Sequence, residues 1–303
     1  MSIVMCTYNG AAFIEQQLAC IAGQSYPLHE IIIVDDASTD ATFSLLQNWQ
    51  QKNELIRLYR NPTNLGVHKN FEKAIRLATG DYISIADQDD IWLPEKTKLL
   101  AEALERHPES MLAHCRSATL KQGRLSYANH KLHRHFSGPD TRKLIFFNQV
   151  NGHGMMFKKK VLEQALPIPP GMFYDWWIAV VATTCGAVIS VDKTLVHHRI
   201  HETNAHFTSG RPKSEPDHDE VIDHITTLAT LNDETRCFAQ ALSTLIKENP
   251  SSNKNVNWRL FLFLFRHRRI IFGHKRRWAP LFSYLKNAIK YAKARYRHAG
   301  VSF

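Results

Sequence analysis

The chain has 303 residues, of which 44% are hydrophobic and 22% are charged, so it has the length for one large folded domain or two smaller ones. These fractions exclude a disordered chain and a polytopic membrane protein. The five cysteines are far apart and never spaced Cys-x-x-Cys, which disfavours a disulfide framework or zinc knuckle and favours a reducing compartment. Because Met1 leads directly into an apolar strand pattern, we expect no signal peptide.

The positive charge is confined to the C-terminal part of the chain. The net charge is +10, and residues 257–303 contain 12 lysines and arginines with no acidic residue; subtracting those 12 leaves −2 for residues 1–256. This asymmetry predicts a near-neutral body with a basic appendage.

Alternating strand and helix patterns in the first third of the chain predict an α/β domain with a mostly parallel sheet. Strands are expected at residues 2–6, 31–34, 55–59 and 82–86, and helical spacing recurs at 14–21, 43–49, 71–78 and 94–104. After Met111 the pattern weakens, and it predicts further strands only at 152–157 and 187–191.

Carboxylates follow two of these strands, as Asp35-Asp36 and as Asp87-Gln88-Asp89-Asp90. Open α/β sheets bind ligands at the carboxyl ends of their strands, so these side chains are expected in one crevice. Converging carboxylates repel one another unless a cation compensates, and Mg²⁺ or Mn²⁺ held together with substrate phosphates would do so. Acidic turns without a ligand are common, so this pattern alone is weak.

A longer set of motifs is more specific. The pieces, in chain order, are Cys6-Thr7-Tyr8-Asn9-Gly10, Val34-Asp35-Asp36-Ala37-Ser38-Thr39-Asp40, Asn64-Leu65-Gly66-Val67, Thr79-Gly80-Asp81-Tyr82-Ile83, Asp87 to Lys96, Asp175-Trp176-Trp177 and Arg199-Ile200-His201-Glu202-Thr203-Asn204. With them the chain resembles the family 2 glycosyltransferases of the GT-A fold, particularly bacterial rhamnosyltransferase-like enzymes that build lipopolysaccharide, O-antigen or capsule. The resemblance spans residues 2 to about 204, two thirds of the chain.

The resemblance implies a donor site and a metal site. The residues implied to bind the donor nucleotide are Thr7, Tyr8, Asn9, Asp36, Asn64, Gly66 and Asp87, with Tyr8 near the base and Asp36 at the base edge. Asp87 and Asp89 match the Asp-x-Asp element, and the implied metal ligands are Asp87, Asp89 and His201, holding Mn²⁺ or Mg²⁺. The alternatives are a packing role for Tyr8, a turn-supporting role for Asp90 and a structural role for His201.

The resemblance also implies a catalytic base and an acceptor pocket. Asp175 is implied to be the base, giving inversion by single displacement, while a helix cap at Asp175 is the structural alternative. Tyr174 stands where many relatives have an acidic residue, so this motif has no second carboxylate before Asp175. His153 and Trp176 are weaker candidates for contact with the acceptor.

We expect a catalytic domain at residues 1–210, a linker and helical segment at 211–256, and a basic, aromatic, amphipathic helical tail at 257–303. The apolar run 260–265 rises only about 9 Å as a helix, too little to cross a hydrocarbon core of about 30 Å. Aromatic and basic residues together predict peripheral contact with an anionic membrane, and docking of the tail on protein is the alternative.

The sequence as a whole predicts an inverting glycosyltransferase at the cytoplasmic face of the cell membrane. Its donor would be dTDP-rhamnose or a UDP-hexose, and its acceptor a glycan or lipid-linked hydroxyl in bacterial surface polysaccharide synthesis. Another metal-dependent nucleotidyl or sugar-nucleotide enzyme is disfavoured, because no glycine-rich, lysine-containing loop follows the first strand. A nucleic-acid-binding protein is disfavoured by the charge of −2 on residues 1–256, so no nucleic-acid partner is expected.

Overall fold

A computed structural model describes residues 1–127, 135–201, 218–248, 256–275 and 280–293. The strands are β1 Ser2–Thr7, β2 Glu30–Asp35, β3 Ile56–Arg60, β4 Tyr82–Ala86, β5 Ile91–Trp92, β6 Ser110–Lys121, β7 Arg124–Ser126, β8 Met155–Lys158 and β9 Ala187–Ile200. The helices are α1 Ile14–Ala22, α2 Thr42–Lys52, α3 Val67–Arg76, α4 Lys96–Arg106, α5 Leu162–Ala165, α6 Tyr174–Cys185, α7 His218–Thr226, α8 Asp233–Lys247, α9 Trp258–Arg266, α10 Arg268–Ile271 and α11 Leu281–Lys293.

One mixed sheet organises the described residues, with the strand order β3-β2-β1-β4-β8-β6-β9-β5 and β7 paired to β6. The first four strands in this order are parallel, so the turns after β1, β2 and β4 lie at one edge. β8 runs antiparallel to β4, with Met156 opposite Ser84, and this places the residues before β8 at the same edge. β9 runs parallel to β6 and ends there as well. The topology therefore gathers five chain segments around one crevice.

Apolar side chains alternate between the two faces of the parallel strands. Ile3 and Met5 belong to one buried cluster, whereas Val4 between them belongs to the other, and Ile31 and Ile32 divide in the same way. Successive side chains of a strand point to opposite faces, so a continuous apolar run fits a strand covered on both sides. The α/β architecture and the first four predicted strands are confirmed.

The weaker predictions after Met111 need correction. β6 is a strand of 12 residues that no pattern predicted, because polar residues such as His114 and Arg116 interrupt its apolar run. Residues 152–154 form a 3-10 turn and the strand begins only at Met155, while β9 continues past Val191 to Ile200.

The C-terminal helices share a core with the residues that precede them. Leu260 and Leu264 of α9 and Ala288 and Ala292 of α11 are buried in the same cluster as Trp176 of α6. The predicted boundary at residues 210 and 211, and the linker after it, lie outside the described residues, so the division into three parts stays a prediction. Among the described helices, none has the length and apolar character needed to cross a membrane.

Candidate functional site

The turns after β1, β2 and β4 are joined by hydrogen bonds into one surface. Asn9 has a left-handed φ of 48°, and its Oδ1 accepts from the backbone N–H of Thr39 at 2.8 Å. The backbone N–H of Tyr8 donates to Gln88 Oε1 at 2.9 Å, and Gln88 Nε2 donates back to the Tyr8 carbonyl at 3.1 Å. The Tyr8 ring is 46% exposed beside these turns. A flat aromatic face is thus held at the crevice, available to stack on a ligand.

Asp36 organises the loop before α3. Its Oδ1 accepts from Asn61 Nδ2 at 2.7 Å and from the Leu65 N–H at 2.8 Å, and its Oδ2 accepts from the Gly66 N–H at 2.9 Å. Gly66 has a φ of 82°, which favours glycine, and its N–H also donates to Asn64 Oδ1 at 3.0 Å. The predicted nucleotide residues Asp36, Asn64 and Gly66 therefore form one hydrogen-bonded unit.

Thr7 has a different environment from the other predicted donor residues. It is buried, and its hydroxyl donates to Asp35 Oδ1 at 3.0 Å. The Ser38 hydroxyl donates to the same oxygen at 2.5 Å. Thr7 thus stabilises the turn after β2 through Asp35, and its direct contact with a nucleotide stays a prediction.

The acidic turn after β4 carries the first of two groups of possible metal ligands. His201 Nε2 lies 2.9 Å from Asp89 Oδ2, and the Arg199 side chain donates to the Asp89 carbonyl at 2.8 Å. Burial raises the pKa of the Asp89 carboxyl above its ordinary value, and the charges of Asp87 and Asp90 add to the shift. A carboxylate destabilised in this way gains from a nearby cation.

The second group consists of Asp87, Asp90, His153 and His198, whose possible ligand atoms all lie within 4.8 Å of one another. His198 Nδ1 lies 3.0 Å from Asp90 Oδ1. His153 Nδ1 lies 3.5 Å from Asp87 Oδ2 and 3.7 Å from Asp90 Oδ2. The two imidazole rings stack at 4.7 Å. This group brings His153, predicted to face the acceptor, together with the Asp-x-Asp element.

The two histidines of this group differ in protonation. Burial lowers the pKa of His153 to about 3, so its imidazole is neutral and suited to metal ligation. Burial opposes charge on His198 as well, but the hydrogen bond and charge of Asp90 outweigh it and raise the pKa of His198 to about 9. His198 therefore compensates Asp90 as a cation.

Two buried polar atoms of this group make no hydrogen bond with any described residue, and their chemistry fits Mn²⁺ or Mg²⁺. Asp90 Oδ2 and His153 Nε2 are buried and make no hydrogen bond within the part of the chain that the structure describes. A buried carboxylate oxygen without a donor is costly, and a hard cation satisfies it. Imidazole nitrogen among the carboxylates is compatible with Mn²⁺.

Asp175 lies in the first turn of α6, close enough to Asp87 of the acidic turn for their charges to interact. The N-cap residue of α6 is Phe173, so Asp175 stands inside the first turn rather than at the cap position. Its Oδ1 accepts from the Trp176 N–H at 2.7 Å, and it also receives hydrogen bonds from the Gly152 N–H and the Asn148 side chain. Burial, which outweighs these bonds, raises the pKa of Asp175 to about 6. A carboxylate with this pKa is ionised at neutral pH and a stronger base than usual.

Trp176 and Tyr174, the neighbours of Asp175, are core residues. Trp176 is only 1% exposed, and its Nε1 donates to the Leu144 carbonyl at 2.6 Å. The predicted contact of Trp176 with an acceptor is untested, and this burial disfavours it. A Cβ on Gly152 would lie 2.4 Å from the Tyr174 hydroxyl, so only glycine leaves room for this tyrosine.

Several site residues were missed from the sequence. His198 and Asn148 fall outside the quoted motifs, although His198 stands within three residues of His201 in the same run. Lys96 ends the acidic motif but was given no role. It is fully buried, its Nζ lies 3.0 Å from the centre of the Trp92 ring, and burial lowers its pKa to about 7.

Comparison with known proteins gives a family and a set of relatives. The family model described as Glycosyl transferase family 2 matches residues 2–166. An uncharacterized protein of Mycobacterium tuberculosis is 28% identical over 211 residues, covering 66% of this chain and 59% of the relative. An uncharacterized glycosyltransferase of Haemophilus influenzae is 24% identical over 213 residues, covering 66% and 65%. The chain thus spans less than two thirds of either relative.

Solved structures agree with the fold. Residues 1–349 of Staphylococcus aureus TarS, in complex with UDP-GlcNAc, superpose with a TM-score of 0.63 and 19% identity over 97% of this chain and 87% of that one. The mannosyltransferase PcManGT from Pyrobaculum calidifontis, in complex with GDP-Man and Mn²⁺, gives a TM-score of 0.52 and 19% identity over 96% and 86%. These likenesses confirm the GT-A architecture expected from the motifs.

Proposed function

The chain belongs to glycosyl transferase family 2, and on that premise we propose that it is an inverting glycosyltransferase using a nucleotide-diphosphate sugar. One observation carries the proposal: the fold places the acidic turn 87–90 and the carboxylate of Asp175 at the same crevice, with the Tyr8 ring exposed beside the turn. An acidic turn able to hold a metal, near a carboxylate of raised pKa, meets the needs of glycosyl transfer, which must stabilise a departing diphosphate and deprotonate an acceptor.

The donor-side turns would hold the nucleotide. Tyr8 supplies an aromatic face, and Asn9, Asp36, Asn64 and Gly66 would supply polar groups from the neighbouring turns, with Asp36 buried beneath the turn that it holds. The UDP-GlcNAc complex of TarS and the GDP-Man complex of PcManGT support a nucleotide-diphosphate sugar as the donor class. Within that class we propose dTDP-rhamnose or a UDP-hexose.

The metal would be Mn²⁺ or Mg²⁺, held by Asp87, Asp89 and His201. The raised pKa of Asp89 and its contact with His201 support this set, as does the Mn²⁺ in the PcManGT complex. Asp90 and His198 form a neighbouring ion pair that shares the acidic turn. Asp90 Oδ2 and His153 Nε2, which make no hydrogen bond among the described residues, would supply further ligand atoms to the cation. When bound, the cation supplies positive charge against the departing diphosphate.

Asp175 would act as the general base. The acceptor hydroxyl gives its proton to the Asp175 carboxylate while its oxygen bonds to the anomeric carbon and the bond from that carbon to the diphosphate breaks. Attack on the face opposite the leaving group inverts the configuration. Base catalysis of this kind contributes roughly 10²- to 10⁴-fold. The Gly152 N–H and the Asn148 side chain fix the orientation of the carboxylate.

The acceptor would be a glycan or lipid-linked hydroxyl of bacterial surface polysaccharide, reached at the cytoplasmic face of the cell membrane. α9 buries Leu260 and Leu264 while Trp258 and Leu262 stay exposed. Exposed aromatic and aliphatic residues among lysines and arginines suit an anionic lipid surface rather than a nucleic acid. The packing of α9 and α11 on the core means that membrane contact and docking on protein are compatible.

Assay of a panel of nucleotide sugars tests the proposal. We expect one donor class to be hydrolysed or transferred in the presence of Mn²⁺, with activity lost on chelation and restored by added metal. The matched control is Asp81→Ala, which removes an exposed carboxylate just before β4, at the end of the strand opposite to the acidic turn. If no donor is turned over or bound with any divalent metal, the assignment is wrong.

A further inference from the structure

Residues 144–154, here called the base-support segment, hold Asp175 and its helix. The Asn148 side chain and the Gly152 N–H both hydrogen bond the Asp175 carboxylate. The Leu144 carbonyl accepts from Trp176 Nε1 at 2.6 Å in the first turn of α6. The orientation of the carboxylate therefore depends on where this segment lies.

The base-support segment has little regular structure of its own. Residues 144–151 contain no helix or strand, and a 3-10 turn follows at Gly152–Gly154. Its internal hydrogen bonds are local, such as the one from the Val150 N–H to Asn148 Oδ1 at 3.0 Å. A segment without a backbone ladder keeps its position mainly through packing of its side chains.

That packing is provided by the C-terminal helices. Phe146 and Phe147 are buried at 3% and 4% exposure. The Phe146 ring stacks on His218 of α7 at 4.2 Å and meets Tyr291 of α11 edge-on at 5.3 Å. The Phe147 ring meets Tyr291 at 5.4 Å and His274 at 5.1 Å. His218 Nε2 also lies 3.0 Å from the Phe146 carbonyl oxygen.

We propose that this aromatic clamp, formed by His218, His274 and Tyr291 around Phe146 and Phe147, makes the C-terminal helices part of the catalytic apparatus. Tyr291 is then a positioning residue: it touches no substrate, and it acts through the base-support segment on Asp175. The inference rests on the proposed role of Asp175 as base. It extends the function of the C-terminal region beyond membrane contact.

The test is Tyr291→Ala in the full-length chain, with Tyr291→Phe as the conservative variant that keeps the ring. Truncation should lower kcat at least tenfold and leave the KM for the donor within twofold, because the donor-side turns are untouched. The pKa of Asp175 should rise, since its hydrogen bonds from Asn148 and Gly152 favour the ionised form. Tyr291→Phe should restore kcat to within threefold of wild type.

The matched control is Phe238→Ala, which removes a buried ring of α8 whose aromatic contacts are with Phe263 and His267. It should lower the melting temperature to a similar degree and leave kcat and the Asp175 pKa unchanged. If Tyr291→Ala fails to fold, Tyr291→Leu, which keeps apolar volume, takes its place.

A second readout separates this inference from the proposed function. The Asp175 carboxyl is titrated by ¹³C NMR in both proteins, with its signal assigned by its loss in Asp175→Asn. If Asp175→Asn keeps full turnover, the proposed base is wrong, while a raised titration midpoint in Tyr291→Ala still supports positioning by the clamp. A folded Tyr291→Ala variant with unchanged kcat and an unchanged Asp175 midpoint would overturn the inference.

Discussion

The proposed donor side of the crevice, with Tyr8, Asp36 and Asp89, and the proposed base side, with Asp175, are built in different ways. On the donor side, Tyr8, Asp36 and Asp89 each stand within four residues of the carboxyl end of a parallel strand. On the base side, Asp175 depends on residues 144–154, which are held in turn by helices more than 60 residues further along the chain. The donor side should therefore tolerate substitutions without unfolding, whereas the base side should couple activity to packing.

The largest effect is expected on the donor side. Asp89→Ala should abolish metal-dependent binding of the donor, with Asp87→Ala close behind, because either change removes a predicted ligand from the acidic turn. The fold should persist, because the hydrogen bonds that join the neighbouring turns, such as those between Tyr8 and Gln88, remain. Thermal shift with Mn²⁺ and a nucleotide sugar measures the loss, and Asp81→Ala serves as control; a wild-type metal-dependent shift in Asp89→Ala contradicts the assignment.

On the base side, Asp175→Asn should lower kcat at least about a hundredfold and leave the affinity for the donor intact. The amide keeps the shape of the side chain and removes the basic oxygen. Initial rates over a range of donor concentrations give kcat and KM separately. Turnover near the wild-type rate would place the base elsewhere.

The sequence made the donor side predictable because its signals are local. Apolar runs mark β1, β2 and β4, and the acidic turns follow within a few residues of each strand. On the base side, only Asp175 was predicted, because it lies in a motif. Asn148 carries no local signal, and its contact with Asp175 exists only in the folded chain. β6 was missed because polar residues such as His114 and Arg116 interrupt its apolar run, which then spans only Met111 to Ala113.

His198 and His201, at the end of β9, are expected to have different roles beside the acidic turn. His201→Ala should weaken metal-dependent donor binding by about tenfold, the scale expected for a lost or disturbed ligand. His198→Ala should instead lower the melting temperature by several degrees, because it leaves the buried Asp90 carboxylate without its cationic partner. Calorimetry and melting curves of both variants separate the two roles. Equal loss of donor affinity in both variants would indicate that His198 and His201 belong to one metal site.

The pH dependence of kcat should follow Asp175. Its pKa is raised to about 6, and only the ionised carboxylate can accept a proton, so kcat should fall as the pH drops through 6. At pH 5 the ionised fraction is about one tenth, which predicts about a tenfold loss. A profile of kcat at saturating donor and metal checks this, and a flat profile between pH 5 and 7 would remove Asp175 from the rate-limiting step.

The smallest effect on chemistry is expected at the C-terminal surface. Phe282 of α11 is 72% exposed, and Phe282→Ala together with Trp258→Ala should reduce sedimentation with anionic vesicles severalfold. Binding should weaken with salt, because the Debye length falls from about 10 Å at 0.1 M to about 3 Å at 1 M. Equal sedimentation of the double variant and the wild type would remove these residues from the membrane contact.

Deletion of residues 257–303 is a poorer test of membrane contact. The helices α9 and α11 bury Leu264, Ala288 and Tyr291 in the core that also contains Phe147. Removing them should expose that core and lower the melting temperature, as expected if the tail docks on the protein. Surface substitutions leave the core intact, so a change in vesicle sedimentation then reports membrane contact alone.

Calorimetric titration of one nucleotide-sugar donor into Asp89→Ala and Asp175→Asn, each with and without Mn²⁺, tests the separation of the two sides most directly. We predict that Asp175→Asn binds the donor with wild-type affinity and the same dependence on Mn²⁺, and that Asp89→Ala shows no metal-dependent binding. Loss of donor binding in Asp175→Asn, or wild-type binding in Asp89→Ala, would contradict a crevice in which one side holds the donor and the other supplies the base.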